Sequence, residues 1–143
     1  MVKSLGVAVC AVLAAIALGG SSPLAAQGLA GKMFTSPGGA TLKVITDAAV
    51  LGGSEVEIVE ITLQPNSDSG DHQHGVTETF YVLEGDMQQV INGKPVALTP
   101  GMAASIRATD HVQHKAGPKG AKVLVIWAPG GEIARVTSRW KAQ

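Results

Sequence analysis

His72-Gln73-His74 places two imidazoles two positions apart, and Glu78 adds a carboxylate four residues further on. On an extended chain, side chains at i and i+2 point to one face, and Glu78 keeps the same parity. Two neutral imidazoles and a carboxylate on one face can hold a divalent transition metal. The chain has four histidines, and the other two, His111 and His114, form a second close pair. An isolated His-x-His is also what an ordinary polar strand face looks like. The glutamate in register, the glycine at Gly85 and the second pair shift the balance toward a metal.

The elements that must carry these residues read as short strands between turn signals. Candidate strands cover Thr41 to Thr46, Glu55 to Leu63, Glu78 to Leu83, Gln88 to Ile91, Pro95 to Leu98, Met102 to Ile106, Val112 to Ala116 and Ala121 to Ala128. Ile133 to Thr137 reads as a last strand. Asn92-Gly93 is the dipeptide of a tight hairpin, and Gly117-Pro118-Lys119-Gly120 is a second hairpin signal. Strands at this spacing predict an all-β sandwich or barrel. No helix is expected after the N-terminal segment. Gln27 to Gly39 reads as a loose arm or as a strand at a sheet edge.

Length and charge narrow the function classes. The 143 residues fit one domain, and the formal net charge is zero with no long basic run. That argues against a nucleic-acid footprint. Met1-Val2-Lys3, the apolar stretch from Leu5 to Leu18, the break at Gly19 to Pro23 and Leu24-Ala25-Ala26 have the layout of a secretory leader. Cleavage after Ala26 leaves residues 27–40 as an N-terminal arm and 41–143 as the folded domain, without a membrane span. Cys10, the single cysteine, falls inside the leader. The mature domain then has neither thiolate ligand nor cysteine nucleophile, which fits an exported, periplasmic or secreted protein. No Gly-x-Ser-x-Gly elbow is present.

The run Asn66, His72-x-His74, Glu78, Gly85 resembles the first motif of the cupin superfamily, with Asn66 where glycine is usual. Asparagine tolerates the left-handed backbone that such a turn needs. The run from Gly101 resembles the second motif in degenerate form. Arg107, Thr109, Val112 and Ala116 stand where proline, glycine, histidine and asparagine are usual. The resemblance spans roughly Glu55 to Trp127. It implies a small double-stranded β-helix, the jelly-roll cupin barrel, with one divalent transition metal inside on three histidines and a glutamate. Carried over, His72, His74 and Glu78 are metal ligands. For the remaining ligand, a strand that turns Val112, His114 and Ala116 inward selects His114. The alternative is His111, one residue before the family position.

Such a site suits Fe, Mn, Ni, Cu or Zn. The resemblance implies an oxygenase of a small organic substrate, flavonol-dioxygenase-like, with Glu78 as ligand and, when detached, as catalytic base. The alternatives are a non-catalytic module that binds a small ligand or metal, and a metal-dependent isomerase or cyclase. A homodimer through a sheet edge is expected as well. Phe80, Val82, Met87 and Trp127 read as core. Arg107 reads as a surface or rim residue, and Arg135, Arg139 and Lys141 as a soluble tail.

Overall fold

The computed structural model describes residues 28–143. The expected leader, with Cys10, lies outside the described residues. Among those described, eight strands form one antiparallel system: β1 (Met33–Thr35), β2 (Thr41–Thr46), β3 (Glu57–Leu63), β4 (Thr77–Ile91), β5 (Lys94–Leu98), β6 (Ala103–Ile106), β7 (Val112–Ala128) and β8 (Lys141–Ala142). Two short helices join them, α1 (Ala48–Leu51) and α2 (Glu132–Thr137). The strand order is β5-β4-β7-β3-β2-β1-β8, and β6 also pairs with β4, along the edge that β5 occupies further on. The architecture is a β jelly roll. No helix among the described residues is long and apolar enough to cross a membrane.

The two longest strands make the barrel. Thr77–Val82 of β4 pairs with Val123–Ala128 of β7, and Met87–Ile91 pairs with Val112–Ala116. Between these stretches the register shifts twice in β4, at Val82/Glu84 and Gly85/Met87. The sequence had marked each long strand as two, and the Gly117–Gly120 run as a hairpin. Instead that run is an excursion within β7 at the corner of the barrel. Gly85 explains how the backbones come so close there. It has φ 74°, and a Cβ on it would lie 2.1 Å from the Gly120 carbonyl oxygen. Only glycine combines that backbone region with that approach.

Local chemistry accounts for the other turns. Asn92 (φ 50°) and Gly93 (φ 78°) are both left-handed between the paired Ile91 and Lys94, the signature of a type I′ hairpin. Asn66 adopts φ 56° and donates its N–H to Gly117 O at 3.0 Å. The asparagine thus takes the left-handed turn that glycine usually makes. The arm pairs at the sheet edge, with β1 lying between β2 and β8.

The core fills the space between the inner faces. Leu42, Val44, Val59, Ile61, Phe80, Val82, Ile106, Val123, Val125 and Trp127 are buried in it. Alternation along β7 is strict at its start: Val112, His114 and Ala116 are buried while Gln113 and Lys115 are half-buried. His111 precedes the strand and is exposed.

The segment from Ile133 to Thr137 is helix, not strand. Its β-branched residues favour a strand, but tertiary anchors override that weak preference. The N–H of Ile133 is held by Glu57 Oε2 at 2.8 Å, and the Ile133 side chain is fully buried. Val136 packs on the same core at helical spacing. The missed α1 is a single turn capped by Asp47, whose Oδ1 accepts from Val50 N–H at 3.1 Å.

Candidate metal centre

His72 precedes β4 and is tied to β7 through an isolated bridge with Val112. Two bonds hold that bridge, His72 N–H to Val112 O at 2.9 Å and Val112 N–H to His72 O at 2.8 Å. His74 lies in the same segment, and Glu78 is the second residue of β4. His114 enters from β7, opposite Gln89 in β4. The ligand atoms of His72, His74 and His114 lie within 4.8 Å of one another. Glu78 Oε2 is 3.0 Å from His74 Nε2 and 3.5 Å from His114 Nε2. His72 Nε2 and His74 Nε2 are 3.1 Å apart. These four side chains therefore converge. His111 points elsewhere, its Nδ1 2.8 Å from Asp71 Oδ2 on the surface. Inward alternation selects His114.

Partners on the far edge of each ring set which nitrogen is free. His72 Nδ1 is 3.0 Å from the Gly70 carbonyl, which can only accept, so Nδ1 carries the proton and Nε2 keeps its lone pair. His74 Nδ1 faces Glu132 Oε2 at 3.4 Å, the carboxylate-histidine arrangement that aims Nε2 at a metal. Glu132 is itself fixed, accepting from Gly75 N–H at 2.9 Å and Arg135 Nε at 2.7 Å. Arg135 Nη2 also lies 3.1 Å from His74 Nδ1. A guanidinium can only donate, so that contact is a hydrogen bond only when Nδ1 is unprotonated. Glu78 Oε1 accepts from the Trp127 indole at 2.7 Å.

The remaining atoms fit a cation. Glu78 Oε2 and both ring nitrogens of His114 are buried and take no hydrogen bond of proper geometry within the protein. Such atoms are costly to bury unless something polar or charged meets them. Three imidazole nitrogens and one carboxylate oxygen are a borderline donor set that suits a first-row transition ion. Burial first, then the charges of His72 and His74, push His114 down to about 3, so it is neutral and ready to coordinate. His74 behaves oppositely. Burial alone would lower it, but the Glu78 carboxylate and then Glu132 outweigh burial and hold it above the ordinary histidine value. Burial would raise Glu132, yet Arg135 and the Gly75 N–H keep it below the usual carboxylate range.

The four side chains open into a cavity of about 390 Å³. Ile61, Leu63, Phe80 and Trp127 line it from the barrel, and Arg135, Val136 and Trp140 line it from the C-terminal segment. The soluble-tail reading of Arg135 is thereby corrected. α2 turns Arg135 back onto the cavity, and Lys141 lies in β8 at the sheet edge. Phe80 and Trp127 are both core and cavity wall, whereas Val82 and Met87 belong to the core and do not line this cavity. Glu132 gave one sequence signal, an acidic residue three before Arg135 after a Pro-Gly-Gly break. That pattern marks a helix start as readily as a turn.

Residues 59–127 match the family model described as Cupin domain. That stretch is a cupin domain. Solved cupin structures agree in fold at low identity. KdgF from Halomonas sp. is 18% identical with a TM-score of 0.60, over 68% of this chain and 84% of that one. A predicted oxalate decarboxylase from Thermotoga maritima is 19% identical with a TM-score of 0.62, over 68% and 91%. The oxalate decarboxylase of Bacillus subtilis, a protein with Mn(II) centres, is 17% identical with a TM-score of 0.61, over 70% of this cupin and 28% of that chain. No curated protein matches the sequence at a significant level.

Proposed function

We propose that this cupin is an exported, metal-dependent oxygenase acting on a small organic substrate, with His72, His74, Glu78 and His114 as the metal ligands. The observation that carries this reading is the convergence of those four side chains at the floor of a cavity large enough for a small molecule. Cavities of this size class commonly hold small ligands. A bound redox-active ion such as Fe, Mn, Ni or Cu would supply Lewis-acid polarisation of an enol or carboxylate and a route for electrons to dioxygen. Zn would supply the first alone.

The chain's own residues do the rest. Glu78 holds its Oε1 on Trp127, and its Oε2 faces the histidines. If not engaged by the metal, Oε2 would be a base facing the cavity, and the Trp127 hydrogen bond would keep the carboxylate aimed there. The apolar walls exclude water around the substrate. Export rests on the leader expected over residues 1–26, and a homodimer through a free sheet edge belongs to the same reading.

A second reading, an isomerase or cyclase, uses the same ligands and the same Glu78 proton transfer without dioxygen. The test separates them. Elemental analysis of the protein recovered from its own exported compartment should find one redox-active transition ion per chain. Oxygen uptake should follow addition of a substrate with an enol or carboxylate to polarise (a flavonol, an enediol or a small enol carboxylate), and His74→Ala should lose metal and turnover together. Turnover that survives loss of the metal in His74→Ala would sink the reading. Conversion of substrate without oxygen uptake favours the isomerase.

A further inference from the structure

Arg135 is the one lysine or arginine lining the cavity among the described residues. It is held by one edge only. Its Nε donates to Glu132 Oε2 at 2.7 Å, its Nη2 lies 2.5 Å from the same oxygen, and Nη2 also reaches the Gln73 carbonyl at 3.3 Å and His74 Nδ1 at 3.1 Å. Nη1 makes no hydrogen bond to any described residue, and the side chain is half exposed at the cavity. Asp68 and Glu78 are the carboxylates that line the same cavity, and Glu132 lies behind His74. Asp68 accepts from Gly70 N–H and the Gln113 amide and sits 3.6 Å from Lys115. Glu78 holds Oε1 on Trp127 and turns Oε2 toward His74 and His114, where the metal would meet it. Glu132 divides its oxygens among Gly75, His74 and the Arg135 Nε edge. A clamped guanidinium with a free Nη1 group is preorganised for an oxyanion.

We propose that Arg135 is an anion subsite, so that the ligands of this cavity carry a carboxylate that docks on its free Nη1 group. The apolar body of the ligand then lies against apolar lining of the cavity such as Leu63, Val136 and Trp140. The proposal deepens the oxygenase reading and rests on it in one respect, that the cavity is where substrate binds. It assigns the substrate class as a small amphiphilic carboxylate with a single negative head. Because α2 carries both Glu132 and Arg135, one helical turn links the orientation of His74 to recognition of that head.

The test is a calorimetric titration of the zinc-loaded protein with benzoate and with its neutral isostere benzamide, which needs no turnover. Wild type should prefer benzoate by about tenfold or more, the scale of a charge-assisted pair. Arg135→Gln, titrated at saturating zinc, should abolish that preference while benzamide affinity stays unchanged. Should that variant not fold, Arg135→Lys carries the test. It keeps the charge without the fork and should lose most of the preference. A preference retained in either variant, for instance because benzoate binds the zinc directly, overturns the proposal, as does its absence in wild type. Loss of oxygen uptake with carboxylates that still bind through Arg135 would instead remove the oxygenase reading and leave the subsite standing.

Discussion

Replacing Glu132 by Gln is the sharpest probe of how this centre is held. Glu132 is buried, and its two oxygens serve three donors: Gly75 N–H, His74 Nδ1 and Arg135 Nε. Glutamine keeps the shape but has one acceptor oxygen and one NH2 group. Whichever way the amide turns, one of Gly75 N–H or His74 Nδ1–H faces a donor. Arg135 also loses its counter-charge while Nη2 stays 3.1 Å from His74 Nδ1, which disfavours a metal cation nearby. Loss of a carboxylate behind a ligating histidine typically costs ten- to a hundredfold in metal affinity. The His74 contact is long at 3.4 Å, so the lower end is expected. That is about tenfold, or ~1.4 kcal/mol.

The assay is competition for zinc against a chromogenic chelator at pH 7.5, beside thermal unfolding of the metal-free protein. Glu57→Gln is the control. Its Oε2 anchors the same helix through Ile133 N–H at 2.8 Å but makes no contact with a ligand ring. It should lower stability and leave zinc affinity close to wild type. Equal zinc affinity in wild type and Glu132→Gln would refute the orienting role. An equal loss in both variants would show that helix anchoring alone was being read.

Three further outcomes follow from the geometry. His114→Ala should lose stoichiometric zinc, whereas His111→Ala should keep it and change stability by less than about 0.5 kcal/mol, since His111 pairs with Asp71 on the surface; zinc loss in His111→Ala would mean the β7 register is wrong. Zinc affinity should fall with pH by about tenfold per unit below the raised His74 value, because the metal needs the neutral ring. The fall should begin above the ordinary histidine pKa of ~6.5, and His114, at about 3, adds nothing there; a profile flat down to pH 5.5 would contradict the His74 environment. Gly85→Ala should cost more than about 2 kcal/mol in urea unfolding, since its Cβ would meet Gly120 O at 2.1 Å; a loss under about 0.5 kcal/mol would mean the corner relaxes freely.

Local periodicity carried much of the fold and part of the centre. The parity of His72, His74 and Glu78 is a property of one extended segment, so it is legible residue by residue. The same holds for the Asn92-Gly93 hairpin, whose left-handed pair is written in two residue types. It holds too for Asn66 at a left-handed turn and for most strand positions. What could not be read was whatever depends on chain segments far apart. Gly117–Gly120 looks like a hairpin by composition, and only pairing with β4 on both sides makes it a corner within one strand. Residues 133–137 have strand-like composition, and only burial of Ile133 and the Glu57 anchor make them helix.

The sequence by itself determined that three potential ligands share a face, and that a barrel of short antiparallel strands would carry them. Only the tertiary structure decided that His114 rather than His111 faces them, because that depends on which residue of β7 lies opposite Gln89. It alone placed Glu132 behind His74, 58 residues away in sequence, and Arg135 beside it. Alternation within a strand is set by the backbone of neighbouring residues. Which strand lies beside which, and where the last helix folds back, is set by burial summed over the whole chain.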